Sequence, residues 1–267
     1  IMDGDILKGA KQNRVSNTSI YMAPNKKYLI PVSCVEQGRW RYDSDIFSPS
    51  DEIVNKQMRF SKNQDIYKKR EDFKRSKHSA NQSRVWENVS SYMDACDILS
   101  ATDSYSDIHI RKRKDFNKMI DKLELNEGAN GLAYFIHGKL CGIEIFNRND
   151  VYKDYFQKIL QAIAMEADLK TKNKKKDWSL IHEDADSIIA ITISDFNNNS
   201  AAIDTCNGAC LGKEYRLQTG NEMYYNLSYN EKTVHQSVIV FEKNDTLKRN
   251  LRKEGKRFNP EPGLFDN

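Results

Sequence analysis

The sequence predicts an α+β fold: antiparallel sheet hairpins with inserted helices. Three observations lead there. Alternating apolar residues flank a tight turn across Gly131–Phe146, so neighbouring strands pair as a hairpin. Two long segments, Gln82–Met93 and Val151–Leu169, instead repeat their apolar residues at helical spacing. Extended and helical segments do not follow a strict strand–helix–strand order, which argues against a doubly wound parallel sheet.

The elements follow in chain order. Ser19–Met22 is a short extended run, Ala23-Pro24-Asn25 a turn, and residues 26–34 (KKYLIPVSC) a strand antiparallel to that run. Pro31 cannot donate to a ladder, so this strand belongs at a sheet edge or a bulge. Residues 50–78 are charged, and Met58, Phe60 and Ile66 keep no strong helical spacing, so a weak helix or a loop is expected. Val85, Trp86, Val89 and Tyr92 give the next helix one apolar stripe. Ser100 and Thr102 bracket the start of a basic helical stretch from about Tyr105 to Leu125, whose buried face would be Ile108, Phe116, Met119, Ile120 and Leu123.

In the hairpin, His137-Gly138-Lys139 is the turn and Leu140–Phe146 the return strand. Cys141, Ile143 and Ile145 share one face; Gly142, Glu144 and Phe146 share the other. Tyr155, Ile159, Ala162, Ile163 and Met165 line the long helix, which runs into a lysine-rich loop. Ser187–Ile193 reads as a short strand or buried segment, Cys210–Leu217 as sheet, and Val234–Phe241 as a strand. Residues 1–245 are read as one domain and 246–267 as a polar basic tail.

Composition sets bounds on function. With 267 residues, 39% hydrophobic and 30% charged, the chain can bury a core and is not wholly disordered. Lys and Arg number 42 against 38 Asp and Glu, an excess of 42 − 38 = +4. The basic residues cluster at 68–77, 111–114, 170–176 and 248–257, and read as solvated faces or loops. Nucleic acid is not expected as a partner, because a binding groove would need these clusters on one surface. There is no run of 18 apolar residues, so no membrane span is expected. The start, IMDGDILKG, lacks the basic-then-apolar order of a signal peptide, and it begins abruptly, as if trimmed. Five scattered cysteines (34, 96, 141, 206 and 210) point to reduced thiols and a cytoplasmic protein.

Two stretches are hard to explain as packing: Gly9-Ala10-Lys11-Gln12-Asn13-Arg14, and Ile30 to Trp40 (IPVSCVEQGRW). Together they resemble the prokaryotic ARPP-1 domain, whose members carry a GAKQNR and an IPVSCVE-GRW stretch. Gln82–Trp86, the Gly131–Phe146 hairpin and Gly212–Leu217 share the likeness, which spans roughly residues 4–241. The family is named for its association with ADP-ribosylglycohydrolases and with rhodanese and phosphatase proteins. The resemblance thus implies a bacterial protein with a contextual link to ADP-ribose processing, and no settled activity. It also implies an N-terminal strand region before GAKQNR.

The candidate site follows from these stretches. In an extended segment Lys11 and Asn13 would share one face and Gln12 and Arg14 the other. Either pair can grip a phosphate or carboxylate; the plainer reading is a solvated strand with a structural Arg–Glu pair. Cys34, Glu36 and Arg39 lie just beyond the strand end, with Gly38 allowing a tight turn. Cys34 is either a nucleophile activated by Lys11, Arg14 or Arg39, or a small buried hydrophobe. Glu36 is expected to accept from Arg14 or to act as a base, and Trp40 to be core or a lid over the site sooner than a stacking platform for a ligand.

Other features carry less. Cys206-x3-Cys210 lacks a second ligand pair, and His182, Glu183, Asp184 and Asp186 read as a solvated acidic loop, so no metal is assigned. Gly208 and Gly212 form no phosphate-binding loop, although Lys213 and Arg216 could serve an anion site. His109, His137 and His235 read as structural. Three functions stay open: a module binding a small anion such as a nucleotide or ADP-ribose derivative; a hydrolase using Glu36 or Cys34 at a phosphate, ester or glycosidic centre; and a protein-interaction domain anchored by Trp40, Trp86 or Trp178. No cofactor is named.

Overall fold

The computed structural model describes residues 1–69, 78–172, 185–200 and 206–241. The acidic run 182–184, Trp178, the polar tail and most of three basic clusters lie outside the described residues. The fold is α+β, with two antiparallel sheets and helices inserted between their strands.

The first sheet contains β1 (Asp5–Gly9), β2 (Arg14–Ser16), β3 (Val32–Cys34) and β4 (Phe47–Ile53), in the order β3-β2-β1-β4. The second has the order β5-β6-β10-β9-β8-β7, from β5 (Gly131–Ile136), β6 (Lys139–Phe146), β7 (Cys206–Asn207), β8 (Lys213–Thr219), β9 (Glu222–Tyr229) and β10 (Lys232–Val240). Among the described residues five helices join them: α1 (Lys56–Lys68), α2 (Gln82–Ala95), α3 (Tyr105–Ile120), α4 (Asn149–Lys172) and α5 (Ala185–Ser200).

The expected hairpin forms, with His137 (φ 52°) and Gly138 (φ 72°) both left-handed. Such a two-residue turn matches the strand twist. As the alternation requires, Ile143 and Ile145 face one core and Phe146 the other. The larger core joins α2, α3 and α4 to the first sheet through Ile6, Val15, Val89, Ile108, Phe116 and Met165. A second lies under α5, where Phe196 packs on Tyr215 and Tyr224, and a third joins Phe60 of α1 to Met223 and Ile239.

Several elements differ from the sequence reading, each for a physical reason. Residues 19–22 make no strand; Tyr21 makes only an isolated bridge to Leu211. The ladder of β3 is with β2, Arg14 opposite Cys34 and Ser16 opposite Val32. The 26–34 strand shrinks to Val32–Cys34, beginning directly after Pro31, and lies at the sheet edge. Ser187–Ile193 belongs to helix α5: Ile189, Ile193 and Phe196, spaced by four and three, give it one packed face. On α3 the buried face is Ile108, Phe116 and Ile120, whereas Met119 and Leu123 are exposed. Strand β9 shows no alternation because Met223, Tyr224 and Tyr225 are all buried in succession.

In the charged 50–78 segment strand β4 was not expected, while helix α1 takes the helical of the two expected alternatives. Asn55 caps α1, its Oδ1 accepting from Met58 N–H at 3.1 Å. The helix has no apolar stripe because its buried residues include Lys56, Gln57, Arg59, Ser61, Lys62 and Asn63. Hydrogen bonds and ion pairs hold it alongside the apolar contacts of Met58, Phe60 and Ile66.

Candidate functional site

GAKQNR is the turn of the β1–β2 hairpin, not an extended segment. Leu7 pairs with Arg14, so the chain reverses across residues 10–13. Gly9 has φ +134°, and a Cβ there would lie 2.3 Å from the Ile46 carbonyl oxygen. Ala10 is also left-handed, at φ 48°. Reversal sends Gln12 and Asn13 inward, where they are buried, and leaves Lys11 exposed. Lys11 Nζ lies 5.1 Å from the centroid of the Tyr42 ring.

The second stretch runs along the same hairpin. Because Arg14 and Cys34 are cross-strand partners, Arg14 Nη1 donates to Cys34 Sγ, and at 3.4 Å to Gln12 Oε1. Burial pulls the Arg14 pKa below its ordinary value. The outer edge of Cys34 is paired by a side chain: Cys34 N–H donates to Gln82 Oε1 and Gln82 Nε2 to Cys34 O, both at 2.8 Å. Gln82 begins α2, so this bond pair docks that helix on the sheet edge.

Glu36 is buried, and both its oxygens are taken. Oε2 accepts from Asn13 N–H (3.1 Å) and Arg39 Nε (2.9 Å), and Oε1 from Thr102 Oγ1 (2.9 Å). Its cation is therefore Arg39, not the expected Arg14. Arg39 also donates to Ala10 O (2.8 Å) and Asn13 Oδ1 (3.1 Å), and its pKa is raised by the Glu36 carboxylate. Gly38 N–H donates to Thr102 O at 2.8 Å, and a Cβ on Gly38 would lie 3.0 Å from Thr102 Cα.

Of the eight residues nominated from sequence, the fold thus joins Asn13, Glu36 and Arg39 in one network, with Gln12 reaching Gln37 O at 3.2 Å. Arg14 and Cys34 form a separate pair on the strands. Lys11 and Trp40 point outward; Trp40 is 68% exposed, neither core nor folded over the site, and Tyr42 is 64% exposed. The result is a locked turn presenting an open surface.

Residues 1–239 match the family described as ARPP-1, the ARG and Rhodanese-Phosphatase-superfamily-associated Protein domain. The chain belongs to the ARPP-1 family. No curated protein and no solved structure matches the chain. The two stretches that carried the ARPP-1 likeness are neighbours in space, bound by the Asn13–Glu36–Arg39 network.

A second polar cluster lies between the sheets of this ARPP-1 chain, and sequence reasoning missed it. Asp3 receives Lys62 Nζ (2.9 Å), Asn63 Nδ2 (2.7 Å) and Arg59 Nε (3.3 Å). Arg59 Nη1 also donates to Glu144, whose other oxygen lies 2.9 Å from His235 Nε2. Ser19 Oγ lies 2.8 Å from His235 Nδ1. Glu214 pairs with Arg216 and with His78 (3.0 Å). All these groups are buried. Burial alone would raise the carboxylates, but Lys62 and Arg59 hold Asp3 below its ordinary pKa, and Arg216 and His78 do the same for Glu214. The available signals were Glu144 between two isoleucines and His235 inside an apolar strand.

Among the described residues no group of three or more His, Cys, Asp or Glu is placed to hold a metal ion. Residues 182–184 and the Cys206 side chain lie outside the description. No described helix is long and apolar enough to cross a membrane.

Proposed function

We propose that this ARPP-1 domain is a binding module for a small phosphate-bearing ligand, such as a nucleotide or an ADP-ribose derivative. One observation carries the reading: the saturated Glu36–Arg39–Asn13 network fixes a turn that displays Lys11 against the exposed Tyr42 ring, with Trp40 exposed two residues before Tyr42 and half-buried Arg14 at the start of β2. Cations recognise the phosphate and exposed rings stack on the base. Preorganisation lowers the cost of binding, since the turn need not be ordered by the ligand.

The test is thermal unfolding against AMP, ADP-ribose and inorganic phosphate, for the native chain and the Arg14→Ala and Trp40→Ala variants. A ligand that raises Tm in the native chain and not in the variants supports the reading. Equal shifts in all three chains would move the ligand elsewhere, and no shift would end the proposal.

The Arg14 contact favours a second reading, hydrolysis with Cys34 as nucleophile, because a guanidinium on sulfur stabilises the thiolate. Iodoacetamide should then alkylate Cys34 faster in the native chain than in Arg14→Ala at pH 7.

A further inference from the structure

We infer an interaction surface away from the turn: the outer edge of β5 pairs with β5 of a second copy of this chain, joining two second sheets across a two-fold axis. The four sheet edges differ in how they are closed. At β3 the Gln82 side chain takes both backbone groups of Cys34. Strand β4 carries Pro49, which has no N–H, and the charged Asp51. Strand β7 is two residues long. Strand β5 (GLAYFI) has six residues without proline or charge, and among the described residues no hydrogen bond reaches its backbone from the outer side. Proline, charge and shortness are what keep a sheet edge from adding another strand, and β5 has none of them. Both its faces are packed, Leu132 on the larger core and Ala133 on the core under α5, so what it offers a partner is backbone.

The register shows which groups face outward. Phe146 N–H donates to Asn130 O at 2.8 Å, which makes Asn130 and Phe146 a hydrogen-bonded pair. Bonded and non-bonded pairs alternate along an antiparallel ladder. Leu132, opposite Glu144, and Tyr134, opposite Gly142, therefore bond to β6. Gly131 and Ala133, opposite Ile145 and Ile143, turn their N–H and C=O groups outward. Past the bulge, Ile136 pairs with Lys139 across the two-residue turn, so the backbone of Phe135 faces outward as well.

This spacing suits a second copy. With Ala133 of both copies at the two-fold axis, the outward groups of Gly131, Ala133 and Phe135 meet the same set running the other way. Each Gly131 then faces a Phe135, and each Leu132 a Tyr134. The Phe135 ring covers the bare backbone of the glycine, as aromatic residues do across edge-strand glycines, and the small Ala133 leaves the axis uncrowded. Charge agrees with this direction. Glu127, which also meets Lys153, is exposed just before the strand, and Lys139 is exposed just after the turn that ends it. Antiparallel pairing brings the Glu127 end of one copy to the Lys139 end of the other, twice by symmetry.

The experiment is sedimentation of the full chain between about 1 μM and 1 mM, a range chosen for a small interface, with amide exchange followed by NMR at both ends. The expected result is a monomer that becomes a dimer as concentration rises. The amides of Gly131, Ala133 and Phe135 should then exchange roughly tenfold more slowly, while those of Leu132 and Tyr134, already bonded to β6, stay as they were. A mixture of differently labelled chains should give an NOE between the α-protons of Leu132 in one copy and Tyr134 in the other. Ala133→Pro deletes an outward N–H and no bond to β6, so it should fold and remain monomeric. A native chain that is monomeric throughout, a dimer that leaves exchange at Gly131, Ala133 and Phe135 unchanged, or undiminished dimerisation of a folded Ala133→Pro would each overturn the proposal. The exchange pattern and the NOE in the unaltered chain decide the matter without any variant.

Discussion

Arg39 grips Glu36 three residues away, Nη2 and Nε lying 2.8 Å and 2.9 Å from the same carboxylate oxygen, while Thr102 holds the other oxygen. The pair ties together the β1–β2 turn, the loop after β3 and the approach to α3. Removing Glu36 leaves part-buried Arg39, the Asn13 N–H and the Thr102 hydroxyl without their acceptor. Glu36→Ala should therefore cost about 1–3 kcal/mol, read from the urea midpoint.

Gln82 imitates a neighbouring strand by meeting both backbone groups of Cys34. Gln82→Ala removes two hydrogen bonds at a half-buried edge. Unfolding experiments should show a loss of about 1–3 kcal/mol. The exchange of the Cys34 amide should quicken more than that of β2.

His109 is packed between the rings of Tyr105 and Phe116, and its Nε2 has no hydrogen-bond partner. Burial pushes its pKa down to about 4. The unfolded chain, titrating near 6.5, binds this proton first. Stability from the neutral ring is complete above about pH 6.5 and is lost as pH falls toward 4, by roughly 2–3 kcal/mol at pH 4.5. Urea midpoints at pH 7.5 and 4.5 should differ by less in His109→Phe than in the native chain.

Trp40 is exposed, so its role should separate binding from folding. Trp40→Ala should change stability by less than about 0.5 kcal/mol. On the proposed reading, calorimetric titration with ADP-ribose should show binding weakened about tenfold, within the roughly 1–3 kcal/mol of a base-stacking ring.

Phe196 fastens α5 to the second sheet through Tyr215 and Tyr224, with centroids 5.8 Å and 5.5 Å away. Phe196→Ala should destabilise by about 3 kcal/mol or more in thermal or urea unfolding. Ile191→Ala, on the exposed side of the same helix, should be nearly neutral.

What the sequence disclosed follows from which forces leave a periodic trace. The 82–93 and 151–169 helices were legible because each buries one apolar face, and the hairpin because its tight turn and alternation are local. The α5 helix was misread because its β-branched isoleucines favour strands, and tertiary packing overrides that preference. The two family stretches pointed to a joined site, and Asn13, Glu36 and Arg39 do meet. Their partnership was not legible, because the hairpin turn that brings Asn13 inward depends on Gly9 and Ala10 adopting left-handed backbone. The buried cluster escaped for a related reason: ion pairs between Asp3, Arg59, Lys62 and Glu144 connect residues far apart in the chain and obey no local spacing.

Helix α1 has a consequence for how such a chain tolerates change. Its lysines, arginine and asparagine resemble surface residues, and a substitution matrix would exchange Lys62 for Arg or Asn63 for Asp at little penalty. Each instead fills a position of fixed charge and shape, as demanding as an interior isoleucine. Deep mutational scanning should find residues 59, 62 and 63 as intolerant as Ile108, and polar replacements there no milder than apolar ones. In this helix hydrophilicity is a poor guide to mutability, and partner count a better one.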